Sequence, residues 1–266
     1  MSRFIVIDGL DGTGKATQTK LLEKELAGRG FNVHHMEWPD YSENSSWPVK
    51  EYLGGALGDD PQKLNPYMCA SFYTVDRMVQ YHKKNKKLFD LDDSHVIVSD
   101  RYISANVIHQ GAKMGLQSEH SRFVEWCYDF EHNLCGAPLE DAPIILTVPV
   151  AISQKMMSER YKGDETRKDI HERDTAYLET CSRKLEDLMR KLRDGQVRFP
   201  APWYELQCIT TKKNPKVDAE DICSLYELAS IDTVHGHIME IVNPILDGHP
   251  IKEKTYCCFF GMDQYH

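Results

Sequence analysis

One short stretch near the start of the chain constrains the fold more than any other. The apolar run Phe4–Ile7 leads into the loop GLDGTGK at residues 9–15, and the residues that follow have helical character. Glycines permit a backbone geometry in which successive N–H groups converge on phosphate oxygens, and the positive end of the next helix favours the same anion. A strand, a G-x4-G-K loop and a helix, in that order, predict a nucleotide-phosphate site of the Walker A type.

The phosphate-binding residues that this motif predicts are Gly9, Gly12, Thr13, Gly14, Lys15, Ala16 and Thr17. Lys15 is expected to reach the β- and γ-phosphates of a bound nucleotide. Ala16 departs from the motif, which has Ser or Thr there as a ligand for Mg²⁺. Thr17 is no simple substitute, because one further residue turns a helical side chain by about 100°. The metal is therefore expected to rely on water, the nucleotide and carboxylates.

The rest of the chain alternates apolar runs with longer segments of helical character. The predicted strands are Phe4–Ile7, Val33–Met36, Val96–Ser99, Ile144–Val148 and Leu206–Thr210. The predicted helices are Lys15–Arg29, Pro66–Asn85, Ser118–Gly136, Ile152–Glu159, Glu172–Arg193 and Ala219–Glu227. Continuous apolar runs suit strands that are buried on both faces, and parallel neighbours need crossovers long enough for a helix. We expect an α/β P-loop NTPase fold: a five-stranded parallel sheet with helices on both faces.

Bulk properties narrow the class of protein further. With 266 residues, 41% of them hydrophobic, the chain should bury a sizeable core. We expect residues 1–230 to form one domain and residues 231–266 a C-terminal extension of unknown role. The net charge of −9 argues against a nucleic-acid partner. No run approaches the ~20 apolar residues that would span a membrane, and we expect a cytoplasmic protein with free thiols.

Four segments carry a family resemblance. They are GLDGTGKATQTKLLEKEL (9–26), FYTVDR (72–77), SDRYISANVIHQ (99–110) and SERYKGDETRKDIHERDTAYL (158–178). In order and spacing they resemble the thymidylate kinase family, over roughly residues 3–228. The resemblance implies transfer of the γ-phosphoryl group of Mg-ATP to dTMP, giving ADP and dTDP, by a homodimer whose cofactor is Mg²⁺.

Two of these segments are predicted to hold the acceptor. Tyr73 and Arg77 lie four residues apart and share a helix face, and the resemblance implies that they stack on thymine and contact the monophosphate. Asp100 and Arg101 follow a predicted strand, at the end where ligands bind in open α/β sheets. By resemblance Arg101 grips the dTMP phosphate and Asp100 helps to place Mg²⁺ or the acceptor. A core aromatic beside a solvated arginine, and a structural Asp100–Arg101 ion pair, remain the alternatives.

Other residues complete the predicted acceptor site by resemblance. Asp11 should turn away from the ATP phosphates, bind the 3′-hydroxyl of the sugar and favour deoxyribose. Asn106 is expected to read the thymine edge with help from Gln110, and Trp38 belongs to an aromatic-proline element. The full predicted dTMP site is Asp11, Trp38, Tyr73, Arg77, Arg101, Asn106 and Gln110.

Gly12 bears on the source of the catalytic cation. One branch of the family has an arginine at this loop position, whereas another has glycine and supplies the cation from a mobile lid. This chain has the glycine, and its predicted lid contains Arg160, Lys162, Arg167 and Lys168. The predicted catalytic residues are Lys15, Asp11, Asp100, Arg101, Arg160 and Arg167, with Asp100 also the metal ligand. The alternative for the basic run is a solvated helix face of mixed charge.

Some positions depart from the family pattern and leave two rival hypotheses open. Glu37 and Tyr41 stand near Trp38 where arginines are often found, and His109 replaces a more common tyrosine. The first rival is a kinase for another deoxynucleoside monophosphate. The second is a nucleotide-binding protein that has lost efficient catalysis, and Ala16, Glu37 and Tyr41 support it.

Overall fold

The computed structural model describes residues 1–58, 60–164, 169–212 and 222–248. Five parallel strands form its centre: β1 (Arg3–Gly9), β2 (Asn32–Glu37), β3 (His95–Asp100), β4 (Ala142–Thr147) and β5 (Tyr204–Gln207). Their spatial order is β2-β3-β1-β4-β5. The first strand therefore lies in the middle of the sheet, and its carboxyl end lies between those of β3 and β4. This architecture confirms the predicted fold class.

The connections between the strands carry the helices. These are α1 (Lys15–Gly28), α2 (Trp47–Leu53), α3 (Pro66–Gln80), α4 (Ile103–Ala105), α5 (Gln117–Tyr128), α6 (Val150–Tyr161), α7 (Ile170–Arg173), α8 (Thr175–Arg193), α9 (Ile222–Leu225) and α10 (Ile231–Leu246). Wider π-helical turns extend α3, α4 and α5, over Tyr81–Asn85, Asn106–Gln110 and Asp129–Leu134. No helix in the described part of the chain is long and apolar enough to cross a membrane.

Both faces of the sheet are covered, as predicted. Side chains alternate along a strand, so Phe4 and Val6 of β1 join one buried cluster while Ile5 and Ile7 join another. The first cluster includes residues of α5 and α8, and the second includes residues of α1 and α10. Burial of β1 on both faces explains why its sequence is a continuous apolar run.

The helix α10 belongs to this core. Its residues were expected in an extension after residue 230, but Val234, Ile238 and Ile241 are buried in the same cluster as β1 and β4. Gln18 on α1 donates a hydrogen bond to the main-chain oxygen of Ile231 at the start of α10. The apolar packing of the fold therefore continues to the end of α10 at Leu246.

The predicted helix Ala219–Glu227 is wrong at its carboxyl end. Its first three residues lie outside the described part of the chain. Residues Ile222–Leu225 form α9, but β7 (Tyr226–Leu228) then pairs antiparallel with β6 (Ile209–Thr211). Pairing with β6 satisfies the backbone N–H and C=O groups of this segment in place of helical bonds. A partner so distant in sequence cannot be inferred from local pattern.

Candidate active site

The phosphate loop lies between β1 and α1, as predicted. A Cβ at Gly9 would lie 2.1 Å from the main-chain oxygen of Leu146, so only glycine fits beside β4 there. Gly14, which precedes α1, has φ +88°, a left-handed conformation that glycine adopts without strain. Lys15 is buried, and its Nζ donates to the main-chain oxygen of Leu10 at 2.7 Å. In this state the lysine folds back over the loop that a nucleotide phosphate would occupy.

Gly12 is in close contact with α6. A Cβ at this position would lie 2.7 Å from the main-chain oxygen of Ser153, and its φ of +76° is left-handed. An arginine at position 12 would therefore require α6 to move. Arg160 is exposed in the last turn of α6 and does not line the cavity described next, whereas Arg167 lies outside the described residues.

A cavity opens beside the phosphate loop, at the carboxyl ends of β1 and β3. All seven predicted acceptor residues line it: Asp11, Trp38, Tyr73, Arg77, Arg101, Asn106 and Gln110. They come from the loop and from three other segments of the chain. The fold therefore brings the predicted acceptor residues together next to the predicted phosphate site.

Arg101 and Asp11 form an ion pair between the cavity and the loop. Burial alone would raise the pKa of Asp11, but the positive charges of Arg101 and Lys15 outweigh it and hold that pKa well below its usual value. Arg101 also has φ +68°, which is uncommon for a residue other than glycine. Strained backbone of this kind concentrates at functional sites, where the surrounding structure holds it.

Arg77 is held at the cavity by hydrogen bonds that the sequence did not indicate. Its guanidinium is almost fully buried and donates two hydrogen bonds to the carboxylate of Glu131, at 2.7 and 2.5 Å. Asn106 donates to the same carboxylate at 3.0 Å. Glu131 thus holds two predicted acceptor residues at once. Because it lies in the turn after α5, far from both in sequence, no local pattern could have indicated it.

Seven cavity residues were not among the predicted ligands, and four of them are polar: Tyr41, His109, Asp169 and His171. Asp169 caps α7 by accepting hydrogen bonds from the backbone N–H groups of His171 and Glu172. Burial, together with the negative charge of Asp11, raises its pKa to about 7. The sequence indicated a lid here through its basic residues, but the side chains that face the cavity are an acid and a histidine.

Asp100 lines a second, more open cavity next to the first, with Glu37 and Glu172. The main-chain oxygen of Asp100 accepts a hydrogen bond from the N–H of Trp38, which joins β3 to the start of the loop that follows β2. Across the described ranges, no group of three or more His, Cys, Asp or Glu side chains could hold a metal ion. A metal ion near Asp100 would therefore have at most two such side chains of the described residues as ligands. This suits Mg²⁺, which is commonly bound through one or two carboxylates together with substrate phosphates and water.

Comparison with known proteins gives a consistent result. The family model described as thymidylate kinase matches residues 7–198. A probable thymidylate kinase of Thermococcus gammatolerans is 25% identical over 229 residues, which cover 85% of this chain and 97% of that protein. A thymidylate kinase of Caldicellulosiruptor saccharolyticus is 30% identical over 163 residues, which cover 61% and 73% respectively.

The fold has a counterpart among solved structures. The structure of thymidylate kinase from Candida albicans matches 92% of both chains with a TM-score of 0.58 and 16% sequence identity, a likeness that concerns the fold. The family match covers well over half of the chain and confirms the resemblance of its motifs. The chain therefore belongs to the thymidylate kinase family and is an ATP-dependent nucleoside monophosphate kinase.

Proposed function

We propose that the cavity beside the phosphate loop is the dTMP site and that the loop holds the phosphates of Mg-ATP, so that the γ-phosphoryl group passes directly to dTMP. The observation that carries this proposal is the convergence of all seven predicted acceptor residues on one cavity next to the loop. Neither rival hypothesis from the sequence is favoured by the family match.

In this proposal the side chains of the cavity bind different parts of dTMP. Arg101 holds the monophosphate, and Arg77, which lines the same cavity, contacts it as well. Tyr73 stacks on the thymine ring, and Asn106 reads its edge. Asp11 accepts a hydrogen bond from the 3′-hydroxyl, a role that suits an acid whose low pKa keeps it ionised.

The chemistry required of the protein is positioning and charge stabilisation, because phosphoryl transfer spreads negative charge over the oxygens of the moving group. Lys15 leaves the Leu10 oxygen and contacts the β- and γ-phosphates. Arg160 and Arg167 are the proposed lid cations. They supply the positive charge that an arginine at position 12 cannot supply, because α6 packs against the loop there.

Mg²⁺ is the proposed cofactor, and Asp100 is the carboxylate that would hold it. The metal would offset the negative charge of the ATP phosphates. Ala16 contributes no oxygen, so the ion would depend on Asp100, water and the nucleotide for its ligands.

The test is a coupled assay of ADP release with each of the four common deoxynucleoside monophosphates. We expect a clear preference for dTMP, and loss of that activity in Lys15→Met. Lys20→Met, an exposed lysine one turn further along α1, serves as the matched control and should retain activity. A preference for a purine monophosphate over dTMP would contradict the proposal.

We also propose a homodimer that forms through α3. The opposite face of this helix packs in the core, yet Met68, Val75 and Val79 are exposed. Their spacing of seven and four residues places them in one stripe, the pattern of a helix that packs on another helix. Val75→Glu should halve the molar mass measured by light scattering. Leu134→Glu, at an exposed leucine elsewhere, should leave the mass unchanged.

A further inference from the structure

Two histidines stack on each other in the wall of the acceptor cavity. His109 lies in the π-helical turn after α4, and His171 lies in α7, which is 62 residues later in the chain. Their ring centroids are 5.4 Å apart and their planes differ by 19°. Each residue is at most 5% exposed. The stack therefore joins the segment that carries the acceptor arginine to the predicted lid.

The hydrogen bonds around His109 fix the role of its ring. Arg101 Nη1 lies 3.3 Å from His109 Nε2. Because a guanidinium can only donate, Nε2 must accept, and the proton of the ring lies on Nδ1. Burial, the largest cause, lowers the pKa of His109 to about 3, so the ring is neutral near pH 7. A neutral imidazole can accept this hydrogen bond, whereas an imidazolium would repel Arg101.

The same reasoning applies to His171 and its partner in α2. Tyr52 Oη lies 2.6 Å from His171 Nε2, and Lys113 Nζ donates to the same phenol oxygen at 2.9 Å. The phenol oxygen accepts from Lys113 and is free to donate its own proton to His171. Burial raises the pKa of Tyr52 and lowers that of His171, so that the phenol keeps its proton and the ring is neutral.

The helix α8 fixes the stack from a third side. Tyr177 packs on the His171 ring, with centroids 5.0 Å apart, and its hydroxyl donates to the main-chain oxygen of His109 at 2.5 Å. Arg101 is thus held between Asp11 and His109, and His109 is held in turn by His171 and Tyr177. A substitution at any residue of this series of contacts should change the orientation of the Arg101 side chain in the cavity.

We propose that His109 and His171 are positioning residues for the acceptor site. The contact between α7 and Tyr52 fixes the His171 ring, which fixes the stacked His109 ring, and His109 in turn fixes the orientation of Arg101. The pair thereby sets the affinity for the acceptor's monophosphate group. The proposal rests on the proposed function of Arg101. It gives α7 a part in acceptor binding that is separate from any cation supplied by the lid.

Four single variants test the proposal. His109→Phe keeps an aromatic ring for stacking but removes the acceptor for Arg101, while His109→Gln restores an acceptor oxygen near the position of Nε2. His171→Phe keeps the stack and removes the acceptor for Tyr52. His95→Phe is the matched control, because His95 and His34 form a second stacked pair, with centroids 5.2 Å apart, that includes the first residue of β3 and lies away from the cavity.

The expected readout is a selective change in KM. His109→Phe should raise the KM for dTMP about tenfold, and His171→Phe about threefold, while kcat and the KM for ATP change less than about twofold. His109→Gln should return the KM for dTMP to within about threefold of wild type. The double Phe variant should resemble His109→Phe alone, because both changes act on Arg101 by one route. His95→Phe should match wild type.

Several results would overturn the proposal. These are an unchanged KM for dTMP in a folded His109→Phe protein, an equal rise in both KM values, or no recovery in His109→Gln. Thermal melting identifies any variant that fails to fold. If His109→Phe does not fold, His109→Gln is the test, and a KM for dTMP more than about tenfold above wild type contradicts the proposal. If the wild-type chain itself does not phosphorylate dTMP, the proposed function fails, an outcome distinct from the failure of the histidine pair.

Discussion

The two halves of the site are built on different physical principles. The proposed donor half is a loop whose expected binding groups are main-chain amides, with Lys15 as its main cationic side chain. The acceptor half is a cavity lined by side chains from distant segments, whose charges are already paired: Arg101 with Asp11, and Arg77 with Glu131. Main-chain amides need no partner residue to keep them in place, whereas a buried guanidinium does.

This difference predicts where each half is vulnerable. Apart from Asp11, which belongs to the acceptor half, the loop should tolerate side-chain changes that leave its glycines and Lys15 intact, since its geometry comes from backbone conformation. The cavity should also respond to changes at residues outside the proposed set of dTMP ligands. Glu131 binds Arg77 and Asn106, and His171 stacks on His109, which contacts Arg101. We therefore expect acceptor binding to depend on more of the chain than donor binding does.

The largest expected effect is at Arg101. Arg101→Ala removes the proposed phosphate ligand and leaves Asp11 without its main partner, so we expect kcat/KM for dTMP to fall by about 10³-fold. Arg29→Ala, at an exposed arginine paired with Glu25, should change nothing. Steady-state kinetics measure both. A loss of less than about tenfold in Arg101→Ala would place the acceptor phosphate elsewhere.

The next effect is on folding rather than on catalysis. Glu131→Gln removes the charge that compensates the buried guanidinium of Arg77, so the free energy of unfolding should fall by about 3 kcal/mol. Urea denaturation measures it. Glu43→Gln breaks ion pairs with exposed lysines and should have no measurable effect. Equal stability of the two variants would show that the acceptor half is not built on buried pairs.

A smaller effect concerns pH and tests the acid in the cavity wall. Asp169 has a pKa of about 7, raised by burial and by Asp11. Above that pH it becomes an anion close to the proposed phosphate position, so the KM for dTMP should rise from pH 6 to pH 8. We expect the ratio of the wild-type KM to that of Asp169→Asn to increase about fivefold over this range. The ratio cancels ionisation of dTMP itself, and a constant ratio would remove Asp169 from the site.

The smallest expected effect is at the donor loop. Ala16→Ser supplies the hydroxyl that the motif has at this position, and it should increase the apparent affinity for Mg²⁺ about threefold. Ala27→Ser, at an exposed site later in α1, is the matched control. A magnesium titration of turnover measures both. If Ala16→Ser turned over and the wild type did not, the chain would instead be a nucleotide-binding protein that has lost catalysis.

The sequence predicted the position of the phosphate loop and the core of the sheet well, because both depend on local pattern. Glycine spacing indicates a phosphate loop, and an apolar run indicates a buried strand such as β1. The seven acceptor residues also proved to share one cavity, although their roles there stay predictions. Family resemblance supplied the full set, because local pattern indicates only that Tyr73 and Arg77 share a helix face and that Arg101 follows a strand.

What the sequence missed depends on partners that are distant along the chain. Glu131 carries no local sign that it will pair with Arg77, and β7 forms because β6 lies beside it. α10 lies in the stretch that was expected to be an extension, and its place against β1 and β4 follows from the tertiary fold. His109 was visible as a departure from the family pattern, while its use became clear only from its contacts with Arg101 and His171.

The most direct test of the account is a crystal structure with dTMP, Mg²⁺ and a non-hydrolysable ATP analogue. We expect the dTMP phosphate on Arg101, its base against Tyr73, and the analogue's phosphates on the loop that ends at Lys15. Density for dTMP outside this cavity, or a cavity that stays empty at saturating dTMP while the analogue is bound, would contradict the proposed division of the site.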